Sequence, residues 1–101
     1  MKRLNKEQEM VARLDTYTTE YLALEQLKAQ YYRDHINDRS RTAILTLYHQ
    51  QIRIDTLVKQ ICLLVDRLIY KDIDFTNETA IMVYNYFSPQ IKIGLFKDRL
   101  V

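Results

Sequence analysis

The stretch from Ile54 to Tyr70 reads IDTLVKQICLLVDRLIY and indicates the fold of the chain. Its apolar residues recur every three or four positions: Ile54, Leu57, Val58, Ile61, Cys62, Leu64, Val65, Leu68 and Ile69. This spacing predicts an α-helix with a broad apolar stripe, which nearly encircles the axis between positions 61 and 65. Other helices must therefore cover it on several sides. We predict that five of these residues are buried: Val58, Ile61, Cys62, Val65 and Leu68.

The composition favours long helices joined by short connections. The chain has 101 residues, of which 48% are hydrophobic and 28% charged, and it contains one glycine and one proline. This length suits a single domain with one modest core, and folds rich in β-turns need more glycine and proline. We predict one all-α domain over residues 1–101. We expect this domain to be an antiparallel bundle of three long or four shorter helices, with residues 88–101 as a C-terminal helix or tail.

A first long helix is predicted from Asn5 to about Arg33. Its apolar stripe comprises Met10, Leu14, Tyr17, Tyr21, Leu24 and Tyr31, with Lys28 at the one polar position. Asn5 can cap the start, because its side-chain oxygen can accept from a free backbone amide of the first turn. The patch DTYTT at positions 15–19 has poor helix propensity and could kink or divide the helix. We expect one helix.

The second helix follows a predicted turn at positions 34–38, DHIND, where Asn37 or Asp38 is expected to be the N-cap. Its stripe runs from Ile44 onward with Gln51 as the polar exception. Two interpretations remain open. The helix runs unbroken to Tyr70, or it bends near residues 53–55, where Asp55 would cap a separate helix.

The last helix is predicted over residues 77–87, after a second turn at positions 71–75. Thr76 is the expected N-cap, with Phe75 placed to pack against Ala80 in the helix. Ser88 and Pro89 are expected to end this helix and could start another, because serine caps well and proline is favoured at the first helical position.

The sequence predicts a cytosolic chain that does not cross a membrane. Glu7, Gln8 and Glu9 interrupt the N-terminus before any signal-type apolar run forms, and no window reaches eighteen uninterrupted apolar residues. Cys62 is the sole cysteine and lies in the apolar stripe, so it is interpreted as a small core residue. The formal net charge of +2 is too small to make nucleic acid the expected partner.

No arrangement of side chains in the sequence predicts catalysis or metal binding. His35 has Asp34 and Asp38 nearby but lacks the paired spacing of a preorganised metal site, and His49 has no nucleophile at a useful spacing. Four carboxylates could meet in the folded chain, but charged positions on a bundle surface are ordinary: Asp55, Asp66, Asp72 and Asp74. We therefore expect no enzyme, no metal and no cofactor.

A DNA-binding alternative would form a helix-turn-helix from Asn77 to Leu95, with Ser88 and Pro89 opening the recognition helix. The turn of this motif often contains glycine, whereas the residues here are bulky, and the recognition helix would carry only Lys92 as a cation. A small DNA-associated or protein-binding regulator of phage or plasmid origin is the alternative function.

The segment LVKQICLLVDRLIYKDIDFTNETAIMVYNYF, from Leu57 to Phe87, resembles the second half of the cytosolic immunity proteins that protect lactic acid bacteria from pediocin-like bacteriocins, the enterocin A immunity type. In that family, as here at Phe75 and Thr76, a phenylalanine-threonine pair opens the last helix after a hydrophobic helix and a polar turn. In this chain Glu78 lies two positions after Thr76. The resemblance covers about a third of the chain closely.

The resemblance implies an antiparallel four-helix bundle without catalysis, whose C-terminal part decides which bacteriocin is recognised at its membrane receptor. The C-terminal segment here combines apolar and basic residues, which suits either partner binding near a membrane or folding back onto the bundle. We expect a monomer or weak homodimer, and a membrane receptor–bacteriocin complex as the partner. The predicted partner-binding residues are Ile91, Lys92, Ile93, Leu95, Phe96, Lys97 and Arg99.

Overall fold

The computed structural model describes residues 5–93, which fold into an all-α helical bundle. The three helices are α1 (Lys6–Asp34), α2 (Arg41–Tyr70) and α3 (Glu78–Lys92), and this part of the chain contains no strand. α1 and α2 are antiparallel neighbours, because Lys28 late in α1 contacts Gln51 in α2, whereas Arg13 early in α1 lines a cleft with Arg67 near the end of α2. The predicted fold class is confirmed.

Helix α1 begins and continues as the sequence predicts. The Asn5 side chain accepts a hydrogen bond from the Gln8 amide at 2.8 Å, and the Gln8 side chain accepts one from the Asn5 amide at 3.2 Å, which forms a capping box. The threonine patch does not interrupt the helix. The hydroxyls of Thr18 and Thr19 donate to carbonyls one turn earlier, so their side chains are satisfied within the helix.

The start of α2 differs from the prediction. Its N-cap is Ser40, whose hydroxyl accepts from the Ala43 amide at 3.2 Å, and not Asn37 or Asp38. Asp38 instead accepts from the Ser40 amide at 2.8 Å. The aspartate therefore stabilises the loop before the helix, and the capping role passes to the serine two residues later.

Helix α2 is unbroken through residues 53–55, which decides between the two open interpretations. Asp55 caps no helix. Its carboxylate is buried and accepts from the Gln51 side chain at 2.7 Å, one turn earlier on the same helix. Because α2 is continuous, the described residues form three helices. The family resemblance implied a bundle of four.

Helix α3 begins one residue later than predicted and ends five residues later. Asn77, not Thr76, is the N-cap, and its side-chain oxygen accepts from the Ala80 amide at 2.9 Å. Ser88 and Pro89 lie inside the helix and do not end it. Ser88 is buried and Ile91 packs against the core, so tertiary packing holds the helical path although the proline supplies no backbone donor. Residues 77–92 therefore do not form a helix-turn-helix.

The core lies at one end of the molecule, where all three helices meet. The five core residues predicted from the central stripe are all buried, so that prediction is confirmed. We call this region, formed by residues 5–18 and 54–93, the three-helix end. Residues 19–53 form the two-helix arm, which contains the second half of α1 and the first half of α2. Across the whole arm, Ala43 alone is buried.

Candidate functional site: the carboxyl end of α3

The predicted partner-binding residues that the structure describes lie together at the end of α3. Ile91 is half-buried against the core, Lys92 is exposed, and Ile93 is the C-cap residue with 73% of its surface exposed. The other four predicted residues lie outside the described part of the chain: Leu95, Phe96, Lys97 and Arg99. The described part of this surface therefore combines one cation with two isoleucines.

A cleft of about 240 Å³ separates this end of α3 from α2. Its lining residues are Lys59, Cys62, Leu63, Asp66, Ser88, Ile91 and Lys92. Sequence reasoning identified the α3 side of this cleft but missed the α2 side. The available signal was the charged pair Lys59 and Asp66, which flank Cys62 at helical spacing on the edge of the apolar stripe.

Polar contacts hold the two walls of the cleft together. The Tyr84 hydroxyl donates to the Asp66 carboxylate, which joins α3 to α2. The Lys92 ammonium lies 5.9 Å from the centre of the Tyr84 ring, within the range of a cation–π contact. Lys92 and Asp66, which both line the cleft, are thus connected through Tyr84.

The thiol in this cleft is unsuited to nucleophilic chemistry. Burial, reinforced by the charge of Asp66, raises the pKa of Cys62 to about 11, while the nearby Lys92 acts in the opposite direction. At pH 7 the thiol is therefore protonated, whereas the thiolate is the reactive form. Cys62 therefore contributes apolar surface to the cleft floor, in agreement with its interpretation as a core residue.

The other titratable residues singled out from the sequence are held in local structural contacts. The His35 ring stacks on Tyr31 with 4.0 Å between centroids, and its Nδ1 lies 2.9 Å from the Tyr31 carbonyl oxygen. Hydrogen bonds from Ser40 lower the pKa of the Asp38 carboxyl. His49 lies beside Tyr48 with the rings tilted. Among residues 5–93, no three histidine, cysteine or acidic side chains are grouped to hold a metal ion.

The four carboxylates considered from the sequence occupy three separate places. Asp55 accepts from Gln51 within the helix interface, and Asp66 accepts from Tyr84 beside the α3 cleft. Asp72 and Asp74 line an open cleft against the first turns of α1. The structure therefore does not bring the four together into one acid–base site.

The polar exceptions in the two long apolar stripes meet each other. The Lys28 ammonium donates to the Gln51 side-chain oxygen, and the Gln51 amide group donates to Asp55. This chain of hydrogen bonds crosses from α1 to α2 at the inner end of the two-helix arm. The sequence marks Lys28 and Gln51 as irregular positions, but the pairing between them depends on how the two helices align.

Comparison of the chain with protein-family models, with curated proteins and with solved structures finds no match. Within the described residues, no helix has a segment both long and apolar enough to cross a membrane. The chemistry of the α3 end therefore carries the functional argument.

Proposed function

We propose that this chain is a non-catalytic, cytosolic bacteriocin immunity protein that recognises a bacteriocin bound to its membrane receptor. The supporting observation is the carboxyl end of α3, where Lys92 and the exposed Ile93 stand beside a cleft with an apolar floor. In this proposal the surface continues into Leu95, Phe96, Lys97 and Arg99.

The cleft supplies a place for an apolar anchor of the partner. Leu63 is exposed on its α2 side and Ile91 is half-buried on its α3 side, so a side chain inserted between them would bury apolar surface from both walls. Buried anchors of this kind contribute most of the binding energy in protein interfaces. The partner chemistry that fits is an aliphatic or aromatic side chain on an exposed helix or loop.

The cations at the rim suit a partner that lies close to a membrane. Lys59 and Lys92 both line the cleft, and Lys97 and Arg99 follow α3 in the sequence. Basic residues near an anionic bilayer surface each gain about 1 kcal/mol of attraction. The proposal therefore combines an apolar anchor site with electrostatic attraction to the membrane that holds the receptor.

The direct test is protection of bacteria that are sensitive to pediocin-like peptides. We expect the full chain to protect, and we expect Ile93→Glu and Lys92→Glu to lose protection, because both substitutions place negative charge at the proposed contact. Lys71→Glu is the matched control, since Lys71 is exposed at the far end of α2. Circular dichroism of each variant checks that the helices are intact.

The regulator alternative gives a different set of results. The regulator would be favoured by two results together. The full chain would protect against none of the pediocin-like peptides tested, and it would bind duplex DNA with an affinity that falls steeply as salt rises. The unbroken path of α3 through Ser88 and Pro89 favours the immunity protein over a helix-turn-helix regulator, because the recognition helix of that motif has no separate start here.

A further inference from the structure

The outward face of α3 is exposed along the whole helix. Its exposed positions, from Glu78 to Ile93, are connected by steps of three and four residues and therefore lie on one side of the helix. We call these positions the α3 stripe. Met82 is 60% exposed and Tyr86 66%, so this side of the helix leaves large apolar side chains in water. The apolar members of the stripe are Ile81, Met82, Tyr86, Pro89 and Ile93.

The two charged residues of α3 lie at opposite ends of the α3 stripe. Glu78 is in the first turn of the helix and Lys92 is in the last, and both side chains are exposed. The sequence between them contains no other charge. The stripe is therefore acidic at its amino end, basic at its carboxyl end and mainly apolar between the two.

This arrangement is complementary to itself in one orientation. If two copies pair their stripes antiparallel about a twofold axis, Glu78 of each copy lies opposite Lys92 of the other. The axis then passes near Asn85 and Tyr86, midway along the stripe. A parallel pair would instead bring like charges together. The helix dipoles give the same preference, because the antiparallel arrangement places the positive end of each helix beside the negative end of the other.

The size of the α3 stripe predicts a weak dimer. From Glu78 to Ile93 the helix rises about 22 Å, and a helix with its side chains is about 10 Å wide. A projected contact of about 220 Å² per copy is well below the roughly 800 Å² per partner of a standard stable complex. The two copies should therefore associate with a dissociation constant in the micromolar to millimolar range.

We propose that the α3 stripe binds the α3 stripe of a second copy, in an antiparallel pair that joins Glu78 of each copy to Lys92 of the other. Lys92 and Ile93 also belong to the surface of the proposed function. The dimer covers that surface, so the single chain is the form that recognises a partner. The pairing itself does not depend on what that partner is.

Sedimentation equilibrium of the purified full chain over a wide range of concentrations tests the pairing. We expect a monomer–dimer equilibrium. Met82→Asp should abolish the dimer, because it places a carboxylate from each copy in the apolar part of the contact. Since Met82 is largely exposed in the single chain, the substitution should leave the helices intact, which circular dichroism checks.

Two charge reversals test the orientation of the pair. Glu78→Lys and Lys92→Glu should each weaken self-association by about tenfold, because each replaces two attractive contacts by two repulsive ones. An equimolar mixture of the two variants should recover dimerisation, since both lysines of one variant then face the two glutamates of the other. Glu9→Lys is the matched control, because it makes the same charge change in the first turn of α1, outside the stripe. It should leave the association unchanged.

Two results would overturn the proposal. One is a chain that stays monomeric into the millimolar range. The other is a dimer that both charge reversals leave unchanged, because a different surface or a different orientation would then hold the two copies together. None of these measurements uses a bacteriocin, so they stand apart from the protection assay.

Discussion

The three-helix end and the two-helix arm are built from the same two helices but differ in what those helices bury. At the three-helix end the α2 residues Val58, Ile61 and Leu68 have no exposed surface. In the arm, Ile44 and Tyr48 belong to the same helix and remain more than half exposed. The difference follows the reach of α3, because its 15 residues cannot cover helices of 29 and 30 residues along their whole length.

Two packed helices bury only the surfaces that face each other, whereas a third helix closes the groove between them. The arm is joined instead by polar contacts, including the ion pair of Arg53 with Glu20 and the hydrogen bond from Lys28 to Gln51. Exposed ion pairs contribute little to stability. We therefore expect most of the free energy of folding to come from the three-helix end.

The largest test of this difference compares the same substitution at the two ends. Ile61→Ala should lower the free energy of unfolding by about 2–5 kcal/mol, because Ile61 is fully buried and the substitution leaves a cavity. Ile44→Ala in the arm should change it by less than about 0.5 kcal/mol. Urea unfolding followed by circular dichroism measures both. Equal effects would mean that the arm is covered as fully as the core.

The second test concerns the boundary between the two regions. Gln51→Leu removes the side-chain amide that donates to the buried Asp55 carboxylate, and should cost about 1–3 kcal/mol of unfolding free energy. Gln50→Leu is the matched control, because the side-chain oxygen of Gln50 is buried without a hydrogen bond. That substitution should be neutral or stabilising. A larger loss of unfolding free energy for Gln50→Leu than for Gln51→Leu would contradict a stabilising role of the hydrogen bonds that join Lys28, Gln51 and Asp55.

The third test concerns the attachment of α3 to α1. The Asn77 side chain caps α3 through its oxygen and donates from its nitrogen to Asp15 at 2.8 Å and to Thr18 at 2.9 Å. Asn77→Ala loses all three bonds and should cost about 0.5–2 kcal/mol in thermal or urea unfolding. Asn85→Ala, at an exposed position of the same helix, should be close to neutral.

Asn77→Asp separates the two roles of this residue. The carboxylate still caps α3, but it cannot donate to Thr18, and it lies beside the Asp15 carboxylate. If the bonds to α1 contribute, the aspartate variant should be less stable than the native chain. A variant as stable as the native chain would show that Asn77 acts as a cap alone.

Sequence periodicity predicted the helices because burial of an apolar stripe depends on spacing along one helix. Val58 and Ile61 are buried for that reason. The caps were less predictable. Thr76 and Asn77 are both good N-caps, and Asn77 occupies the position because its amide also reaches α1, which spacing within α3 cannot reveal.

Of the cleft beside α3, the sequence predicted the α3 side but not the α2 side, because local spacing does not show where two helices cross. Ile91 and Lys92 stood out as apolar and basic residues near the end of the chain, but the Lys59 and Asp66 wall depends on where α3 crosses α2. Ser88 and Pro89 have the local signature of a helix boundary. Packing of Ser88 against α2 overrides it, and this tertiary contact is absent from any local pattern.

The smallest expected change in unfolding free energy concerns the turn that follows α2, at the three-helix end. The Asp72 amide donates to the Ile69 carbonyl at 3.0 Å and the Ile73 amide to the Leu68 carbonyl at 2.9 Å, which forms a Schellman motif. This motif requires a left-handed residue, and Asp72 has φ 56°. A residue with a Cβ atom occupies this region at an energetic cost that glycine does not have.

Asp72→Gly should therefore raise the free energy of unfolding by up to about 1 kcal/mol, since relief of the left-handed conformation outweighs the added entropy of the unfolded chain. Asp72→Val is the opposite control. A β-branched side chain is a genuine outlier at positive φ, so this variant should be less stable than the native chain. Urea unfolding of the three proteins gives the order. If the valine variant is as stable as the glycine variant, the left-handed turn does not limit the stability of the three-helix end.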